Sequence, residues 1–200
     1  MNAAERWRSA AVALLVCSAL AVPAGATTLQ RASLEDLVAA NSKVVVGEVL
    51  DVQSRWNDEG TFILTDVRVA PLHVVKGKVH SKEMTVTLMG GTVAGHTTLI
   101  VGGAELRPGK AYVLFLDEQN LPGSPKTLTV RDHCQGAFDL AVNRKGELRA
   151  RSQAYDQVLV PGPTGASLAP GESVGFEFSG LMATLREMAG RQQREGGSHE

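Results

Sequence analysis

Ala111 to Leu116 reads Ala-Tyr-Val-Leu-Phe-Leu, a nearly continuous apolar run. A strand with no polar face has to be covered on both sides, so this segment belongs at the centre of a core. The flanking sequence supplies strands to cover it. Lys43 to Val52 is rich in β-branched residues and carries Gly47 in its middle, where glycine marks a bulge or a sharp bend. Thr61 to Val75 alternates through Phe62, Leu64, Val67 and Val69 and loses phase at Ala70-Pro71. Proline has no N–H for a ladder, so the strand bends or changes edge there.

Further strands are expected at Met84 to Met89, Thr97 to Val101, Leu128 to Val130, Ala137 to Val142 and Leu148 to Ala150. Glycine and asparagine punctuate them. Trp56 to Gly60 reads as a turn, Gly91 to Thr98 as a glycine-rich loop, and Asn143 to Gly146 as a hairpin turn. Helices stand at the two ends. Ser33 and Asp36 have capping-box spacing, and Leu34, Leu37 and Val38 share a face, so a short helix ends near Asn41. Ser179 to Ala189 regains helical period through Leu181, Met182, Leu185 and Met188.

The N-terminus has the form of an export signal. Arg6 and Arg8 precede an apolar stretch from Ala10 to Val22, and Ala24-Gly25-Ala26 offers a small-x-small cleavage site. The stretch falls short of the roughly 20 apolar residues of a membrane span. Cleavage before Thr27 is expected, with the product periplasmic or extracellular and no membrane association after cleavage. The bulky Val16 before Cys17 argues against a lipoprotein. The domain plan is therefore a signal peptide over 1–26 and a β-barrel domain with its N-terminal helix over 27–160. A Pro/Gly/Ser linker and the C-terminal helix follow over 161–190, and a disordered polar tail over 191–200.

Charge excludes one class of partner. The chain carries 20 Lys+Arg and 21 Asp+Glu, and removing Arg6, Arg8 and Glu5 with the signal leaves a net charge of −2. A nucleic-acid binder needs a concentrated basic face, and here bases and acids are interspersed. Of the two cysteines, only Cys134 survives cleavage. An intramolecular disulfide is then impossible despite the oxidising compartment.

Catalytic and metal-binding patterns are weak. His133-Cys134 could pair an imidazole with a thiolate nucleophile, but neighbours on a strand face opposite ways unless the backbone turns, and an inert thiol, buried or half-buried, is the better reading. His73, His80, His96 and His133 lack the close spacing that brings two ligands onto one face. No His and Met follow Cys134 closely enough for blue copper. Asp51, Asp58, Glu59 and Asp66 do not form a calcium loop, and no Gly-x-Ser-x-Gly elbow occurs. The glycines of 90–103 are not followed by a helix that could cradle phosphate. No catalytic residue, metal or cofactor is expected.

Several segments together carry a resemblance: Val44-Val45-Val46-Gly47-Glu48-Val49, Val74-Val75-Lys76-Gly77, Gly90-Gly91-Thr92, Arg107-Pro108-Gly109-Lys110 before Tyr112 to Leu116, and Gln135-Gly136-Ala137-Phe138. From about Leu34 to Leu140 the chain resembles a group of uncharacterised exported bacterial proteins. Its plan, a five-stranded barrel with terminal helices, is similar in architecture to the netrin-like modules, which include the tissue inhibitors of metalloproteinases. The resemblance implies a mainly β fold, a small closed or partly open OB-like (netrin-like) barrel with short N- and C-terminal helices. It implies a binding module acting on a protein partner, a secreted metalloprotease being one candidate. Those inhibitors chelate zinc through an N-terminal cysteine anchored by disulfides, and Thr27 with a lone Cys134 cannot reproduce that.

Small barrels have filled interiors, which leaves function to loops. Trp56 and the Gly91 to Thr98 loop, with Gly91, Thr92 and His96, are the expected contacts, since an aromatic on a loop is a natural anchor. A bland role for Trp56 as a barrel cap, a hydrolase using Cys134, and a structural envelope component are the alternatives.

Overall fold

A computed structural model describes residues 31–156 and 175–196 of the chain. The expected signal segment, the linker from Pro161 to Pro170 and the last four residues lie outside the described residues. The chain runs from helix α1 (Leu34–Ala40) into β1 (Lys43–Trp56), β2 (Ile63–Lys76), β3 (Met84–Met89) and the short strands β4 (Gly91–Val93) and β5 (His96–Thr98). Then come β6 (Ala111–Leu121), β7 (Ser124–Val130), β8 (Ala137–Val142), β9 (Leu148–Ser152), β10 (Phe176–Glu177) and helix α2 (Phe178–Gly196). Two 3₁₀ turns, His133–Gly136 and Gln153–Asp156, follow β7 and β9.

The molecule is mainly β, with one large antiparallel sheet and two helices. The eight-stranded sheet has the order β10-β9-β8-β6-β1-β2-β3, with β7 also pairing β6, and it is not closed; β4 and β5 form a separate hairpin. The sheet has more strands than the five implied by the resemblance, and β6 serves two of them along one edge. Its first half, Tyr112 to Leu114, pairs with β8, and its second half, Leu116 to Leu121, pairs with β7. β1 lies along the other side of Ala111 to Leu116.

Alternation on these central strands divides the core in two. Val44, Val46, Val113 and Phe115 face the helices, where Leu37, Val38, Leu181, Met182 and Leu185 cover them. Val45, Val49, Tyr112, Leu114 and Leu116 face the other way and meet Val67, Val69 and Val86 of β2 and β3. Apolar side chains on consecutive positions are what coverage on both faces demands. Gly47 sits at a register shift between β1 and β2, and a Cβ there would run into the Val69 side chain. Pro71 lies opposite Gly47, beyond Val69, where β3 has ended. Its missing N–H therefore breaks no ladder on that side.

Local chemistry sets the ends of the helices. Ser33 accepts from the Asp36 N–H, while the Asp36 carboxylate accepts from the Ser33 N–H, a complete capping box. At the start of α2, the Glu177 carboxylate accepts from the Ser179 hydroxyl and from the N–H groups of Gly180 and Ser179, bonds that lower its pKa. α2 then continues through Arg191 to Gly196, stretches expected from sequence to be a disordered tail. Arg, Gln and Glu are good helix formers, and Lys76 Nζ donates to Gln192 Oε1 at 2.9 Å, tying that turn to β2.

Candidate functional site

Asn57 anchors the corner on which the site is built. Its buried side chain accepts from the N–H groups of Thr61 (2.8 Å) and Phe62 (3.0 Å) and donates to Pro122 O (3.3 Å). One asparagine thus closes the β1–β2 turn and fastens it to the β6–β7 connection. Trp56, just before it, is the last residue of β1 and pairs with Ile63, so it belongs to a strand end rather than to the turn expected from sequence. Two dihedrals and a paired backbone leave this side chain little freedom.

The expected Gly91 to Thr98 loop is an ordered hairpin. Gly91 pairs with Thr98, Thr92 with Thr97 and Val93 with His96, around Ala94 (φ 47°) and Gly95 (φ 84°). Two positive φ values in a two-residue connection make the tight turn whose twist suits paired strands. The hydroxyls of Thr92 and Thr97 meet at 3.0 Å across it. Gly90 N–H donates to Ile63 O (2.9 Å), and Thr65 Oγ1 donates to Gly90 O (2.7 Å), which joins the hairpin to the sheet. Gly91 lies against the Ser54–Thr65 hydroxyl pair, themselves 2.9 Å apart, and has no side chain to hold it off.

This docking carries His96 onto Trp56. Their ring centroids are 5.8 Å apart at an interplanar angle of 60°, an edge-to-face contact. Trp56 keeps 37% of its surface in solvent, and its indole N–H has no acceptor among the described residues. Trp56, Gly91, Thr92 and His96 thus come together on one corner. Below them Arg55 pairs with Asp66 at 2.6 Å, and Asp66 also accepts from Thr87.

Other residues marked by the sequence fall elsewhere. Cys134 is 2% exposed, and burial raises its thiol pKa. It lies in a 3₁₀ turn, not on a strand, after two left-handed residues, Asp132 and His133, so strand alternation does not set its orientation relative to His133. Asp51 and Asp66 face arginines, at 3.8 Å from Arg68 and 2.6 Å from Arg55. Among the described residues no group of three or more His, Cys, Asp or Glu could hold a metal ion, and no helix is long and apolar enough to cross a membrane.

Two features escaped the sequence. Leu99 and Val101, expected in a strand, lie on an irregular stretch after β5 and are 80% and 81% exposed. Gly102-Gly103 directly after them was the signal that the strand stops early. The second is a cleft of about 840 Å³ at the opposite end of β6, between β6, β8, β9 and the segment preceding β6. No family model matches the chain, and no curated protein matches its sequence.

Proposed function

We propose that the chain is an exported, non-catalytic binding module of OB-like or netrin-like barrel form, which holds a protein partner on the corner built by Trp56, His96 and the β4–β5 hairpin. The observation that carries this is the part-exposed Trp56 held edge-on to His96 by an ordered hairpin. A large aromatic side chain fixed before binding loses little entropy on contact, and tryptophan leads the residue types that anchor interfaces. Barrel form is supported by the way β3 and β7 approach each other without pairing. Export rests on the sequence of residues 1–26. A secreted metalloprotease is the candidate partner, held by surface contact and not by zinc chelation. The buried thiol with a raised pKa supports binding over nucleophilic chemistry at Cys134.

Trp56→Ala should leave the melting temperature nearly unchanged and weaken capture of a partner from the organism's secretome by about 1–2 kcal/mol or more. A fall of several degrees, with capture per folded molecule intact, would make Trp56 a barrel cap and remove this surface. Native Cys134 alkylating as fast as a free thiol would return the hydrolase alternative.

A further inference from the structure

β3 and β7 each stand two antiparallel steps from β1, so they run in the same direction, and the edges they turn to each other share no ladder. A pocket of about 510 Å³ opens where their C-terminal ends meet the end of β6 and the segment after β5. Leu88, Met89, Ile100, Leu121 and Val130 give it an apolar lining. Trp56, Gly91, Thr92 and His96 take no part in it, which sets it apart from the Trp56 corner.

The polar groups of the lining decide what can enter. Arg131 is already committed: it donates to Ala40 O at 3.0 Å and meets Asp117 at 3.3 Å. Asp132, the lining acid, stands 4.0 Å from Arg131, so the two charges offset each other. A charged ligand would give up its hydration and find no net counter-charge in return. Gln135 accepts from the Ala32 N–H at 2.8 Å. Three lining side chains keep unused capacity, for Gln119, Thr129 and His133 make no side-chain hydrogen bond or ion pair among the described residues. Thr129 is only 4% exposed, and a buried hydroxyl without a partner leaves bonding unmet. Hydroxyl and amide groups both donate and accept, so the group that satisfies them does the same.

We propose that this pocket binds a small uncharged amphiphile, an apolar body carrying an amide or similar donor–acceptor head. The body lies against Leu88, Ile100 and Val130, and the head bonds Thr129 and Gln119. The volume is that of a small-molecule site. Ile100 to Gly103 forms the outer wall, held by the Cys134 N–H donating to Gly102 O at 2.9 Å.

Calorimetric titration of the full chain with decanamide, decanoate and decylammonium, below micelle-forming concentrations, holds the body constant and varies the charge of the head. Decanamide should bind, and more tightly than either ion. Thr129→Val with Gln119→Leu keeps the shapes and removes the partners of the head, and should weaken decanamide about tenfold while the melting temperature holds. Ile100→Glu, at a part-exposed position, puts a carboxylate in the wall. It should abolish decanamide binding and favour decylammonium. No binding of decanamide, tighter binding of either ion by the parent chain, or an affinity indifferent to both changes would overturn the proposal. So would loss of decanamide binding in Trp56→Ala, which would place the ligand on the Trp56 corner.

Discussion

At Gly91 the backbone takes φ 133°, and a Cβ would strike the Ser54 and Thr65 hydroxyls that lie beneath the hairpin. Gly95, at the hairpin tip, has nothing within 4 Å of its Cβ position. The two glycines therefore separate turn strain from docking. Gly91→Ala should lift β4 from β1 and β2, separate His96 from Trp56, and cost about 1–3 kcal/mol by overpacking. Gly95→Ala should strain the turn alone. Trp7 falls in the expected signal segment, so emission from the cleaved protein reports Trp56 alone. Emission from Gly91→Ala should change in wavelength and intensity, and that from Gly95→Ala should stay near the parent's. Identical spectra for Gly91→Ala and the parent would show that the glycine does not set the Trp56–His96 contact.

β6 is the element on which the rest depends, because it pairs with β1, β8 and β7 and divides its side chains between two cores. Leu114 is fully buried, opposite Val45 on one side and Ala137 on the other. Leu114→Ala should cost on the order of 2–5 kcal/mol, read as a lowered urea midpoint; an unchanged midpoint would place this strand at an edge in solution. The element was legible because an unbroken apolar run has a single physical reading. The same holds for α1, whose cap is written in Ser33 and Asp36, and for Pro71, whose missing N–H confines it to an edge. Thr97 to Val101 misled because β-branched residues mark strands only where something packs on them, and Leu99 and Val101 meet solvent. The Trp56 corner was half legible. Residue type nominated Trp56 and the glycines, but the ring contact with His96 depends on Gly91 docking against Ser54 and Thr65, neighbours that no local pattern announces. The cleft at the start of β6 was invisible for a like reason: Arg107 and Arg151 are far apart in sequence and line it together only through strand order.

At the scale of the whole molecule, the end strand β3 and the side strand β7 of the sheet come near each other without joining. β3 hydrogen-bonds β2 on one side, β7 hydrogen-bonds β6 on one side, and their other edges approach across a seam. A pocket of about 510 Å³ lies at that seam, lined by Leu88, Met89, Ile100, Thr129 and Val130 among others. Exposed strand edges invite pairing with another chain, and covering them is how sheet proteins avoid it. Here the segment from Ile100 to Ala104 lies over the gap, held by the Cys134 N–H donating to Gly102 O at 2.9 Å. Amide hydrogen exchange distinguishes an open seam from a barrel that closes in solution. With an open seam, Val44 to Val46 and Tyr112 to Leu116, paired and covered on both faces, should exchange slowest, near the global unfolding limit. Along Met84 to Met89, protection should alternate, slow where the N–H meets β2 and fast where it faces the seam. Uniform slow exchange through β3 and the facing edge of β7 would mean that the two strands bond directly, with the seam sealed by a ladder and not by the covering segment.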